Sequence, residues 1–196
     1  EAEELFKNDN SNNYISINNN NFLNETTLIK VLKNNDKILR PIGVCVMNYD
    51  ILMGSSNSYT NLVMEYSFRN FIYVNSGSIE VTLTPYLYEK YLYSKKNDEL
   101  MNKISDINIY NIHEKHKSNY NKIKFLQIKV STNQLLFIPN YWYYSIKLLE
   151  DDTLVSLYKY KTYTNCLSLI PEYLLQYLQK HNIKNNYVNK AVSKIN

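Results

Sequence analysis

What most limits the fold of this chain is the spacing of its apolar runs, which are short and interrupted too often for long helices. "IGVCVMNY" (42–49), "NLVMEYS" (61–67), "NFIYVNSG" (70–77), "SIEVTLTPY" (78–86), "KFLQIKV" (124–130), "QLLFIP" (134–139), "WYYSIKLL" (142–149) and "TLVSLYKYKTY" (153–163) are rich in β-branched and aromatic residues and read as strands. The fourth alternates with the period of two that a half-buried strand requires. A shorter piece, "YISI" (14–17), precedes them. "NSGS" (75–78) predicts a tight hairpin turn with Gly77 at positive φ, and "STN" and "EDD" join the last four strands in pairs. Eight strands in meander order predict a mainly β protein, a sandwich or a barrel.

Helical spacing shows in two places. "NETTLIKVLKNN" (24–35) predicts a short helix capped by Asn24 or Thr26, with Leu28, Ile29, Val31 and Leu32 as its apolar face. "PEYLLQYLQKHN" (171–182) predicts a helix with Pro171 in its first turn and Tyr173, Leu174, Tyr177 and Leu178 on one stripe. Residues 87–122 are rich in Tyr, Lys and Asn and interrupt the strands, with a helix predicted over 95–104. The expected organisation is an N-terminal segment with a short helix (1–40), a β-barrel (41–165) with an insertion at 87–122, and a C-terminal helix and tail (166–196).

Composition narrows the function classes. At 196 residues and 44% hydrophobic, the chain suits one domain with a real core. Asn, Lys, Ile and Tyr are abundant, with 20 Tyr, while Gly (3), Pro (4) and Arg (Arg40, Arg69) are scarce. That contrast follows AT-rich codons, as in a giant DNA virus or an AT-rich protist. Three glycines exclude a glycine-rich phosphate loop. The net charge of +4 comes from scattered Lys, with local excess at 115–129 and 180–194. The lack of Arg, which makes the best bidentate contacts, argues against nucleic-acid recognition. Cys45 and Cys166 are far apart in the sequence and fit no zinc spacing. Their apolar contexts predict buried free thiols in a reducing compartment. No apolar run is long enough to cross a membrane, and the polar, acidic first 20 residues do not resemble a signal peptide, so an intracellular or virion location is expected.

Three stretches resemble the Jumonji-C and related cupin-like oxygenases. "LLFIPNYWYYSI" (135–146) resembles L-x-I-P-x-x-W-W-H-x-V. "NFIYVNSGSIEVTLTPY" (70–86) resembles N-F-x-x-Q-x-x-G-x-K-x-x-x-L-x-P-P. "LMGSSNSYTNLVMEY" (52–66) resembles L-x-G-P-x-G-x-x-T-P-L-H-x-D, with Gly54, Thr60 and Leu62 in place. "SLIPEYLLQYLQ" fits the helix that often follows the barrel. The resemblance covers roughly residues 50–180 and implies a double-stranded β-helix (cupin/jelly-roll barrel) with a short N-terminal helix and a C-terminal helix.

The same resemblance implies that the reactive residues are gone. Active members hold Fe(II) with two His and a carboxylate. Here the distal His position is Tyr144. The H-x-D motif falls on Val63-Met64-Glu65 in one register and on Met64-Glu65-Tyr66 in the other. The Lys that holds 2-oxoglutarate in part of the family falls near Ile79. Val63, Glu65 and Tyr144 are therefore the degenerate metal-site positions, and Met64, Tyr66, Ile79 and Trp142 are candidates to line the pocket. Tyr144, if it points inward, needs a partner for its hydroxyl, with Glu65 as the candidate, and filling of the space by Val63 or Met64 beside its ring fits as well. His113 and His116 in "NIHEKHK" miss the H-E-x-x-H zinc-protease spacing by one residue and read as a solvated loop.

The expectation is a catalytically inactive Jumonji-C/cupin-like domain with no metal and no cofactor. It would serve as a structural or protein-binding module, in a virus as a structural or assembly protein. A protein partner or a second copy would dock on Tyr173, Leu174, Tyr177 and Leu178. The rival readings are an Fe(II)/2-oxoglutarate-type oxygenase with a non-standard metal site and, third, a Lys-mediated nucleic-acid-associated protein.

Overall fold

Almost every link between consecutive barrel strands carries the chain from one sheet to the other. The computed structural model describes residues 14–97, 101–178 and 181. Among them are eleven strands: β1 (Ile15–Ser16), β2 (Val44–Gly54), β3 (Val63–Glu65), β4 (Arg69–Ser76), β5 (Ser78–Thr84), β6 (Ser94–Asn97), β7 (Asn102–Ser105), β8 (Leu126–Ser131), β9 (Leu135–Ile138), β10 (Tyr143–Leu148) and β11 (Thr153–Thr162). They form two sheets, ordered β1-β2-β11-β4-β9 and β6-β7-β3-β10-β5-β8. Every pairing is antiparallel. From β2 to β5, and again from β8 to β11, the chain changes sheet at each step. This is the double-stranded β-helix that the resemblance implied.

The winding corrects the expected hairpins. Gly77 has φ +73° as predicted, yet β4 and β5 on either side of it do not pair with each other. The turn is a corner between sheets. A Cβ on Gly77 would lie 2.3 Å from Thr153 Oγ1, so this corner excludes a side chain as well as favouring the left-handed backbone. "STN" and "EDD" are likewise corners, from β8 to β9 and from β10 to β11. The helix predicted over 95–104 is also corrected. Those residues include β6 and β7, which pair with each other and extend the second sheet beyond β3. Alternating Lys, Ile and Ser there suits a sheet edge with one wet face.

Burial explains why so many strand residues are apolar or aromatic. One cluster fills the space between the sheets and includes Leu52, Ile72, Ile79, Val81, Ile146 and Leu157. A second, with Leu62, Met64, Leu92, Ile107 and Tyr143, lies beneath the insertion on the far side of the second sheet. A third, with Leu23, Leu32, Tyr49, Ile51, Tyr158 and Tyr160, lies beneath the N-terminal helices on the far side of the first sheet.

Those helices span Asn20–Glu25 and Leu28–Leu39. Their placement corrects the expected cap and face. Thr27 precedes the second helix and makes no side-chain cap bond, while Thr26 ends the first. Leu28 and Val31 are exposed. The inward face is Leu32 and Asp36, with Ile29 and Leu39 packed beside them. Asp36 is 1% exposed and pins the helix to the barrel. It accepts from Tyr160 OH at 2.8 Å and from Arg40 Nε at 2.9 Å. Burial pushes the carboxyl up, but the bonds from Arg40 and Tyr160 outweigh it and hold it below the usual carboxylate range. A carboxyl depressed in the folded state stabilises it above the unfolded pKa of ~3.9, and that contribution fades as pH falls through the native value. Asp36→Asn is expected to cost about 2 kcal/mol in urea unfolding at neutral pH. The gap to the wild type should narrow as the titration moves well below pH ~4. A gap that stays constant with pH would show that the charge is not what holds the helix.

Candidate functional site

The two sheets leave a cavity of about 110 Å³ at one end of the central core. Apolar side chains from four strands form its walls: Leu52 on β2, Val63 on β3, Ile146 on β10 and Leu157 on β11. It adjoins a more polar cavity of about 280 Å³ and shares Asn18, Asp50, Glu65, Asn102 and Lys159 with it. The polar groups thus form a collar between an apolar inner chamber and an outer one.

Val63, Glu65 and Tyr144, the three positions at which the resemblance places metal ligands, all line the inner cavity. Tyr144 on β10 is the antiparallel partner of Val63 on β3, and Glu65 follows two residues later on the same face. This placement selects the Val63-Met64-Glu65 register. Met64 and Tyr66 point the other way, into the cluster beneath the insertion, because strand alternation leaves them no other face. They do not line the pocket, which corrects that expectation. Ile79 is fully buried in the central core, and Trp142 packs partly buried against the same core; neither lines the cavity.

The polar partner of Glu65 is also different from the one expected. Lys159 Nζ donates to Glu65 Oε1 at 2.8 Å, with both side chains mostly buried. Among the described residues no hydrogen bond joins Tyr144 to Glu65. Tyr144 is 4% exposed, and burial first, then the nearby Glu65 and Asp50 carboxylates, push its phenol far above the usual value against the pull of Lys159. It is therefore a neutral phenol at any physiological pH. Burial pulls the Lys159 ammonium down, but the Glu65 carboxylate above all reverses this and holds it above the ordinary lysine range. Asp50 completes the collar. Its carboxylate accepts from the Asn18 and Asn19 backbone N–H groups at 3.0 and 2.7 Å and from Ile51 N at 2.9 Å. Burial pushes its carboxyl up, against those bonds and Lys159. The Oδ1 atom of Asn102, 6% exposed in the wall of both cavities, has no partner among the described residues.

These residues do not fit a divalent iron. Val63 offers no donor, Tyr144 would have to give up the proton of a buried phenol to bind, and Glu65 is already held by an ammonium. The Asp50 oxygens are taken by backbone N–H groups. No His lines either cavity, and no three His, Cys, Asp or Glu side chains converge among the described residues. His113 and His116 flank a short turn in the insertion, where His116 lies against the Tyr93 ring at 4.7 Å.

Lys159, Asp50 and Asn102 were missed in the sequence. For Lys159 a signal existed: in "TLVSLYKYKTY" it stands in phase with the core residues Val155 and Leu157. Asp50 stands in phase with Leu52 in the same way. Asn102 had no such marker, since the insertion was not expected to join the sheet.

The sequence profile of the cupin-like domain matches residues 2–165, and the chain belongs to that family. No curated protein sequence matches it. Among solved structures it is similar to peruvianin-I, a cysteine peptidase from Thevetia peruviana latex, at 6% identity and a TM-score of 0.37, over 59% of this chain and 50% of that one. It is also similar to a mutant of Bacillus subtilis oxalate decarboxylase at 14% identity and a TM-score of 0.37, over 59% of this chain and 21% of that one. A second oxalate decarboxylase structure gives 14% and 0.38, over 62% of this chain and 23% of the other. The match thus spans half or less of each of these chains.

Removing one member of a buried ion pair strands the other. Lys159→Met or Glu65→Leu alone is expected to cost about 3 kcal/mol, whereas the double variant should fall within roughly 1 kcal/mol of the wild type. Urea unfolding of the four proteins measures this coupling, and additive losses would mean that the pair is not a closed unit.

Proposed function

We propose that this cupin-like domain is catalytically inactive as an iron oxygenase and serves as a structural or protein-binding module. The observation that carries this reading is the Lys159 ammonium on Glu65, in the cavity wall where the family resemblance places the metal ligands. A cation fixed there repels a second cation and occupies the one carboxylate of the degenerate triad. Iron titration tests it. Under anaerobic conditions Fe(II) with 2-oxoglutarate is expected to leave the melting temperature unchanged, and no 2-oxoglutarate should turn over in air. Stoichiometric iron binding with turnover would overturn the reading in favour of an oxygenase with a non-standard site.

A module without chemistry acts through its surface, and the helical region after the barrel supports a contact there. The helix Tyr163–Ser168 is followed by helical residues 170–178. Leu167, Ile170, Leu174, Tyr177 and Leu178 are 51–65% exposed and recur every three or four residues. Tyr173 is not part of this face. It packs against the cluster beneath the insertion, and its hydroxyl accepts from Lys161 Nζ at 3.2 Å. The occupant we propose is a second copy of the chain, since a single apolar stripe of this spacing is its own complement about a twofold axis. Sedimentation velocity should show a dimer for the wild type and a monomer of unchanged circular dichroism for Leu174→Glu/Leu178→Glu. A wild-type monomer at high concentration would overturn self-association.

A further inference from the structure

Cys45 and Cys166 stand 121 residues apart in sequence, yet their sulfur atoms are 3.0 Å apart. That is only about 1 Å more than a disulfide bond of ~2.05 Å. We propose that these two residues form a reversible disulfide that fastens the first helix after the barrel to the first long strand of the barrel.

Two local features produce the approach. Along β2 and β11, Lys161 pairs with Val46 and Thr162 with Val44, so Cys45 is the extra residue of a β-bulge. A bulge re-aims the side chain it inserts. Thr162 then caps the helix Tyr163–Ser168, its hydroxyl accepting from Asn165 N at 3.3 Å. The cap fixes the helix entry, and Cys166, one turn along, faces back onto the bulge. Both cysteines are free, as expected, but partly exposed rather than buried, which leaves the pair within reach of a small oxidant. Around them Cys45 Sγ lies 3.4 Å from Lys161 O, and the Lys161 side chain reaches Tyr173 in the next helical segment. The crosslink therefore ties strand, helix and the wall of the outer cavity together, whether or not the barrel is catalytic.

The oxidant is a disulfide of the glutathione class. One cysteine thiolate attacks a sulfur of glutathione disulfide and expels a glutathione thiolate, giving a mixed disulfide. The second cysteine attacks the protein sulfur of that bond and expels the other glutathione. Two protein thiols are oxidised, one glutathione disulfide is reduced, and the two thiol protons pass to the two glutathiones. Either cysteine can make the first attack, because the 3.0 Å between the two sulfur atoms leaves the other within reach of the mixed disulfide.

The test equilibrates the full chain in glutathione buffers from reduced to oxidised and maps its peptides without reductant. The expected product is a monomer with the Cys45 and Cys166 peptides joined, two hydrogen atoms lighter, and restored by dithiothreitol. Its melting temperature should rise by roughly 5–10 °C, a shift absent in Cys45→Ser and Cys166→Ser. Disulfide-linked dimers, stable mixed disulfides with glutathione, or two thiols still reactive with N-ethylmaleimide in the oxidised buffer would overturn the pairing. A linked form that melts with the reduced one would overturn the fastening.

Discussion

Lys159 sits on the inner face of β11, in phase with Val155 and Leu157, and an ammonium group there must find a counter-charge. Desolvating it costs several kcal/mol, and only a close, well-aligned carboxylate repays that. Glu65 does so at 2.8 Å, with Asp50 nearby as a second negative group. The rest of the site follows from this pairing. Glu65 is no longer a free ligand, Tyr144 stays neutral beside it, and the inner chamber beyond the pair is apolar. The formal charges of Asp50, Glu65, Lys159 and Lys161 around the outer cavity cancel, so its lining is polar with no net formal charge.

Burial on both faces of the sheets gives the many tyrosines a use that codon bias alone does not explain. Tyr143, Tyr158 and Tyr160 are fully buried, yet none lies in the central core. Each packs its ring under an added element and spends its hydroxyl on it. Tyr143 OH donates to Ser94 Oγ on the insertion at 3.0 Å, Tyr160 OH donates to Asp36, and Tyr158 OH accepts from Asn35 Nδ2 at 3.2 Å. A Phe in these places would supply the apolar area but leave Asp36 short of a donor inside the protein. The inner faces, which meet no added element, carry mostly Ile, Leu and Val.

The strands were legible because period two and β-branching are local properties, and nine of the eleven strands lie where those runs and the shorter "YISI" lie. Their partners were not legible. A turn such as Ser76-Gly77-Ser78 has the same residues whether the strands beside it pair or part, and only the two-layer core decides. In the insertion, "SKKN" and "NKIS" have too few apolar residues to show a strand, and they form one by adding to an existing edge. In the site, family spacing located Val63, Glu65 and Tyr144, while the charge partner of Glu65 came from a strand 94 residues away. No local pattern states which buried Lys meets which buried Glu.

The cross-sheet winding also separates what fixes the fold from what fills the site. The residues that the resemblance shares are mostly at corners and supports. Gly77 leaves no room for a Cβ against Thr153, and one on Gly54 would lie 2.4 Å from Tyr14 O. Thr60 holds β10 in place, its hydroxyl accepting from Ile146 N at 2.9 Å and its carbonyl accepting from Ser145 Oγ at 2.7 Å. These groups set the path of the backbone, and the path alone brings residues 63, 65, 144 and 159 to one place. The side chains at those four positions then need only be mutually compatible in charge and volume. Two imidazoles, a carboxylate and a metal satisfy that condition, and so do Val63, a phenol and a lysine–carboxylate pair. The barrel constrains where its site lies far more tightly than what the site contains.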